Sequence, residues 1–240
     1  MSLVRQSWIG MSLASLIIAA WALLHVAGIF FVTLDDPLMT VLMMAALTWL
    51  SAGLFILSHD AMHGSLCPAH QKTGDLTGRL ALLLYAGYRL SQLRPKHQLH
   101  HRHPGSVDDP DFAVGSPGRA LAWYRHFVLT YFGAREITFM AARIGIYFLL
   151  GAPIENILLF FAVPAILSSV QLFYFGTFLP HRHTDMPETA FADQYRARSN
   201  DVGYFISLLT CFHFGYHHEH HLHPGAPWWQ LPAVRQKRAA

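Results

Sequence analysis

A helical membrane crossing needs roughly 20 consecutive apolar residues. Two stretches of this chain meet that length without a single Asp, Glu, Lys or Arg: 8–32 (WIGMSLASLIIAAWALLHVAGIFFV) and 38–58 (LMTVLMMAALTWLSAGLFILS). A second apolar pair lies at 137–150 and 156–178, parted by the break Gly151-Ala152-Pro153-Ile154-Glu155. Arg143 weakens the first member of that pair. The segments 79–93 and 202–214 are apolar but short, with charge at their boundaries, which predicts interfacial or re-entrant helices rather than crossings. The N-terminal run has no small-residue cleavage site leading into a polar segment, so it reads as a retained first span.

The pattern therefore predicts an all-α integral membrane protein of four transmembrane helices with added interfacial or re-entrant helices, forming one domain over residues 1–240. Sidedness follows from the loops. The short turns 33–37 and 151–155 carry Asp35, Asp36 and Glu155 but no Lys or Arg, and the basic residues fall on the other side or at span ends. The bias of Lys and Arg toward the cytoplasm puts both termini there.

Composition agrees. The chain is 53% hydrophobic and 13% charged, against a charged fraction of about 25% in soluble domains, and its mean hydropathy is +0.30. A formal charge of +3 suits basic loops facing anionic headgroups. No nucleic-acid-binding motif accompanies that charge, so nucleic acid is not an expected partner. Cys67 and Cys211 form neither a CxxC pair nor a disulfide framework.

The candidate chemistry lies in the histidines. His59 and His63 follow the second span, and His97, His100 and His101 follow the 79–93 segment. His181 ends the fourth span, and His217, His220 and His221 follow the 202–214 segment. Under the predicted topology all these groups reach one membrane face. Residues at i and i+4 share a helix face, so His59 and His63 can serve one cavity. His97 pairs with His100 or His101, and His217 with His220 or His221. Adjacent histidines diverge by about 100° on a helix, which lets them reach two different ions. Imidazole suits zinc, iron, copper and nickel rather than calcium or magnesium. One tetrahedral zinc uses at most four ligands. The inventory is larger, and two irons with an open position for oxygen use it better than one zinc; two zincs remain the alternative.

Metal-bound histidines usually donate their second nitrogen to a carboxylate or carbonyl. Asp60, Asp108, Asp109, Asp111 and Glu219, with His218 beside them, are the candidate orienting groups; a solvated acidic turn is the plain alternative for 108–111. His25, His70 and His126 read as isolated side chains, with His25 facing the bundle interior. His103, His183, His213 and His223 read as structural or supporting residues.

The motifs HDAMH, HQLHH and HHEHHLHP, spaced among four spans, resemble those of the membrane fatty-acid desaturase and hydroxylase superfamily. Within it, SHDAMHGSLCP, RPKHQLHHRHPGSVDDPDF, FGTFLPHRH and FHFGYHHEHHLHPGAPWWQLP look like the signatures of bacterial β-carotene ketolases, in the same order, from about residue 50 to 232. The resemblance implies a cytosolic di-iron centre held by His59, His63, His97, His100, His101, His217, His220 and His221, with His181 as the additional ligand after the fourth span. Where the desaturase pattern has an Asn four residues before that ligand, this chain has Thr177.

The resemblance further implies a di-iron oxygenase of the bacterial inner membrane that takes a carotenoid from the bilayer. It would use dioxygen and electrons from a ferredoxin-type donor to convert the allylic C4 methylene of a β-ring to a ketone, by two hydroxylations and a dehydration. β-Carotene and its 3-hydroxylated form are both candidate substrates. A fatty-acyl desaturase or a carotenoid ring hydroxylase would use the same centre. A membrane metal transporter would also place histidines among spans, but nearer the midplane.

Overall fold

The computed structural model describes residues 1–183, 191 and 193–239. These residues form helices, turns and loops. Helices α1 (Leu3–Phe30) and α2 (Pro37–Met62) make the first hairpin. At 1.5 Å per residue they rise about 42 and 39 Å, well beyond the roughly 30 Å of bilayer hydrocarbon. His59 lies in the last turn of α2. Asp36 starts this helix by accepting the N–H groups of Leu38 and Met39, with Pro37 at the first helical position. That is the residue pair a helix N-terminus favours.

Two shorter helices follow, α3 (Gln71–Ala86) and α4 (Leu90–Arg102). The single short segment expected over 79–93 is thus the end of one helix and the beginning of the next. They are parted at Gly87, which has φ 74° and would drive a Cβ to 2.4 Å from the Phe139 ring. Both the left-handed backbone and the close approach require glycine there. Helix α5 (Ala120–Tyr131) lies after a loop, and α6 (Ala134–Leu149) after a short turn.

The long helix α7 (Ile154–His181) is the third apolar rod. It contains two π-helical segments, Leu158–Ala162 and Tyr174–Phe178. Such widened turns are often found at functional sites, and the second leads directly to His181. The chain closes with α8 (Tyr204–Cys211), α9 (His217–Leu222) and α10 (Leu231–Ala239).

Among the described residues, three helices, α1, α2 and α7, are long and apolar enough to cross a membrane. The span expected over 137–150 falls on α6, whose 16 residues rise only about 24 Å. Arg143 sits in its middle and is fully employed. It donates to the Leu84 carbonyl (2.6 Å), to the Tyr147 hydroxyl (2.5 Å) and to His25 Nε2 (3.2 Å), and it lies over the rings of Trp21 and Phe161. Because a guanidinium only donates, His25 Nε2 is an acceptor, and it takes the Tyr147 proton as well, at 2.7 Å. This knot ties α1, α3 and α6 together and absorbs both the charge of Arg143 and the lone imidazole of α1.

The main core runs through Ile17, Trp21, Leu54, Leu57, Phe160 and Phe212. α2 is its axis, packing against α1, α3, α4, α7 and α8. Large apolar side chains such as Trp8, Leu16, Leu23, Leu42 and Ile166 face outward, as lipid-facing positions do. With α2 at the centre, its last turn becomes the natural floor for residues arriving from α4, α7 and α9.

Candidate metal centre

Nine histidines from four helices converge at that floor in two groups. His59, His63, His97, His101 and His220 form the first; His100, His181, His217 and His221 form the second. Within each group the facing ring nitrogens all lie within 4.8 Å of one another. The i, i+4 pairs choose sides: His97 goes with His101 and His217 with His221, while their neighbours His100 and His220 point into the opposite group. The 100° step between adjacent helical residues distributes the two HxxHH motifs across both clusters. The choice left open by the spacing is thereby decided for both helices.

Contacts between rings are close. Nε2 of His63 lies 2.7 Å from Nε2 of His97, and His101 Nε2 lies 2.9 Å from His220 Nε2. In the second group His221 Nε2 is 3.2 Å from His100 Nε2 and 3.1 Å from His217 Nε2. The outer nitrogens of two rings, His100 and His181, face acceptors. His100 Nδ1 faces both oxygens of Asp109, at 2.9 and 3.0 Å. His181 Nδ1 is 2.8 Å from the Arg196 carbonyl, which can only accept. An outward N–H leaves the inward Nε2 of a neutral imidazole as a lone pair. His181 Nε2 and His59 Nε2 are buried and have no hydrogen-bond partner among the described residues. Inward lone pairs crowded at these distances repel one another unless a cation lies among them. The donor set fits two metal ions, one bound by five imidazoles and the other by four.

Electrostatics point the same way. Burial, reinforced by neighbouring imidazoles, pushes the proton affinity of His97, His217, His220 and His221 well below the ordinary histidine value. The same causes bring His63 down to about 4 and His101 to about 2. Neutral imidazole is the ligand form, so these rings are prepared for metal at neutral pH. His100 is the exception: burial opposes its charge, but Asp109 and Asp111 outweigh burial and raise its affinity for a proton. Burial also works against a charged Asp109, yet His100 and the N–H groups of Gly105 and Asp111 hold its carboxyl below the usual value.

The candidate orienting groups divide. Asp109 is buried and directs His100 while accepting the N–H of Gly105 and of Asp111, both at 2.8 Å. Asp111 accepts a hydrogen bond from the Tyr131 hydroxyl, and its other oxygen lies 3.7 Å from His100 Nδ1. Asp108 is exposed and stays with its own turn. Asp60, 3.6 Å from His59 Nδ1, is too far for a hydrogen bond and instead accepts the Trp228 N–H. Glu219 accepts from Ser199 and faces Arg235 of α10, and His218 pairs with Asp193 at 2.6 Å. Both point away from the clusters and anchor α9. His213 is buried among Tyr204, Tyr216 and Trp228, while His183 packs on Phe112. His70, His103, His126 and His223 are exposed.

A cavity ends at this centre. His59 and His97 of the first group and His100 and His217 of the second line it, together with Phe55, Tyr85, Tyr88, Phe127, Tyr131 and Phe214. No periodicity marks these aromatics in the sequence, because they come from α2, α3, α5 and the approach to α9. Gly176 makes the end wall possible: a Cβ there would stand 2.4 Å from the Phe214 ring, which in turn packs edge-on against His59 and His217.

The fatty acid desaturase family profile matches residues 35–142 and 130–240. Among characterised proteins, the beta-carotene ketolase of Paracoccus sp. (strain PC1) is 47% identical over 232 residues, covering 95% of this chain and 93% of its own. The beta-carotene ketolase of Paracoccus sp. (strain N81106 / MBIC 01143) is 48% identical, covering 92% of this chain and 90% of its own. A zeaxanthin 4-ketolase of Chlamydomonas reinhardtii is 38% identical, covering 95% of this chain and 53% of its own.

Proposed function

The chain belongs to the fatty acid desaturase family, and from that premise we propose that it is a carotenoid 4-ketolase, an oxygenase that converts the C4 methylene of a β-ring to a ketone. The observation that carries the reading is the aromatic cavity whose floor is made by histidines of both clusters. Its lining is apolar and aromatic with few polar groups. A ring with part of a conjugated chain fits that chemistry, and the surrounding side chains exclude water from the oxidised carbon.

Each hydroxylation consumes one dioxygen, two electrons and two protons, inserts one oxygen into a C–H bond and releases one water. A second round at the same carbon gives a geminal diol, which loses water to leave the ketone. We assign one iron to His59, His63, His97, His101 and His220, and a second to His100, His181, His217 and His221. When bound, the two irons would supply dioxygen activation. The protein's own residues do the rest. Asp109 and the Arg196 carbonyl hold the outer nitrogens of His100 and His181, which fixes ring orientation and directs the inner nitrogens to the metal. The bond to be broken is allylic, so the polyene delocalises the radical left behind.

Electrons come from a separate ferredoxin-type donor, since the chain carries no dinucleotide or c-type haem motif. We place α6 as a short fourth crossing that completes a second hairpin with α7. Both termini and the histidine face then lie on the cytoplasmic side of a bacterial inner membrane, the side with the excess of Lys and Arg, and residues 1–240 act as one domain. Expression in a host that accumulates β-carotene, with mass analysis of the pigment, tests the reading. Exchange of two hydrogens for one oxygen per ring is expected. Unchanged pigment, with the protein in the membrane and an active donor present, would overturn it in favour of an acyl-lipid substrate.

A further inference from the structure

The geometry points to Asp111 as the residue that reads a hydroxyl on the ring carbon next to the one oxidised. Asp111 is the sole carboxylate among the residues lining the cavity. It stands beside His100, with Oδ2 3.7 Å from the outer ring nitrogen. Its backbone is pinned on both sides, the N–H by Asp109 Oδ1 at 2.8 Å and the carbonyl by Trp123 Nε1 at 2.6 Å. Side-chain Oδ1 accepts from Tyr131. Oδ2 lies 3.7 Å from His100 Nδ1, beyond hydrogen-bond length, because that N–H is already shared by the two oxygens of Asp109. A carboxyl group whose Oδ2 accepts no hydrogen bond among the described residues thus belongs to the lining of the cavity that the histidines close.

This inference rests on the ketolase reading and deepens it. A substituent on the carbon beside the oxidised methylene is held one bond farther from the metals, toward the wall that includes Asp111. A hydroxyl there can donate to Oδ2, which accepts through its lone pairs. A ring without the hydroxyl leaves no group newly unpaired, because Tyr131 and the surrounding backbone already serve the carboxylate. Sites that hydrogen-bond a substrate hydroxyl reject analogues lacking it when their own polar groups are left unsatisfied. Here Tyr131 removes that penalty, so the site takes both ring types and favours the hydroxylated one. An enzyme that hydroxylates the ring can therefore act before this one.

The test is a competition assay in native membranes with an electron donor, using β-carotene and zeaxanthin as probes. The ratio of kcat/KM for the two is compared among wild type, Asp111→Asn, Tyr131→Phe and Thr177→Val. Asp111→Asn is expected to lower the zeaxanthin to β-carotene ratio about tenfold. Tyr131→Phe is expected to raise it, because the substrate hydroxyl then supplies the donor that Asp111 has lost. A residue that only supported His100 would lower both rates together and leave the ratio alone. If Asp111→Asn loses its iron, Tyr131→Phe decides, since it keeps the carboxylate. Ratios within twofold of wild type in both variants overturn the proposal, as does a ratio that moves only in Thr177→Val. A wild-type protein that oxidises neither probe overturns the ketolase reading itself, and this inference with it.

Discussion

The rings of His101 and His221 stack nearly parallel with centroids 4.2 Å apart, yet they belong to different clusters. They form the common wall between the two groups of imidazoles. Each ring faces its own set of nitrogens, so the clusters are adjacent but separate. Removing one ligand should therefore weaken one ion first.

His220→Ala and His221→Ala test this. Each variant is expected to fall from two bound irons toward one, and to lose at least a hundredfold in ketolase activity while still inserting in the membrane. Metal analysis of the purified protein, beside the pigment assay, checks both. Two irons and full activity in His220→Ala would remove that residue from the site.

Asp109→Asn keeps the size of the side chain but gives up the charge that orients His100. Partners of this kind typically contribute 10–100-fold to metal affinity or activity. The variant is expected to surrender iron to a chelator at about one-tenth of the chelator concentration the wild type needs. Titration with a chromogenic chelator measures it.

Acid should strip the centre. His63 and His101 bind protons less readily in the folded protein than the ordinary value of 6.5, down to about 4 and about 2. Unfolded chains take up those protons first as pH falls, so the stabilisation carried by the neutral rings is fully present above 6.5. For His63 it is lost between 6.5 and about 4. Neutral rings also keep the metal, so iron is expected to stay bound at pH 6 and to leave as the pH approaches 4. Equilibration of the purified protein in detergent at stepped pH, followed by metal analysis and thermal melting, checks the sign. Greater stability at pH 4.5 than at 7 would contradict it.

Arg143→Leu should destabilise the bundle without touching the metals. It strands the half-buried Leu84 carbonyl and removes a donor from both Tyr147 and His25. An unsatisfied buried group costs about 1–3 kcal/mol. A lower melting temperature in detergent, with iron content unchanged in the protein that remains folded, is the expected pair of results.

Much of this protein is local in origin and legible along the chain. Stretches 8–32 and 38–58 cannot leave an apolar environment, and they become α1 and α2. The i, i+4 spacing of His59 and His63, and the paired HxxHH motifs, place imidazoles on helix faces through backbone geometry alone. Arg143 weakened the reading of 137–150 as a span, and α6, at 16 residues, is not among the three helices long and apolar enough to cross.

Other features depend on which helices meet. The spacing could not say whether His97 sides with His100 or His101, because both offsets share a face; the orientation of α4 against α2 and α9 chose His101. Asp109 became the partner of His100 and Asp108 did not, since a turn decides which of two neighbouring carboxylates looks inward. Glu219, beside three of the ligands in sequence, turned outward to Ser199 and Arg235. The cavity was invisible for a plainer reason: aromatics that line a tunnel and aromatics that face lipid have the same composition and the same period. Only the packing of α3, α5 and α7 around the end of α2 separates them. Sequence determined that two metals could be held at one end of an apolar bundle, because ligand type and helical period are local properties. Tertiary structure decided which histidines group together and what chemistry faces them, because those are distances between segments far apart in the chain.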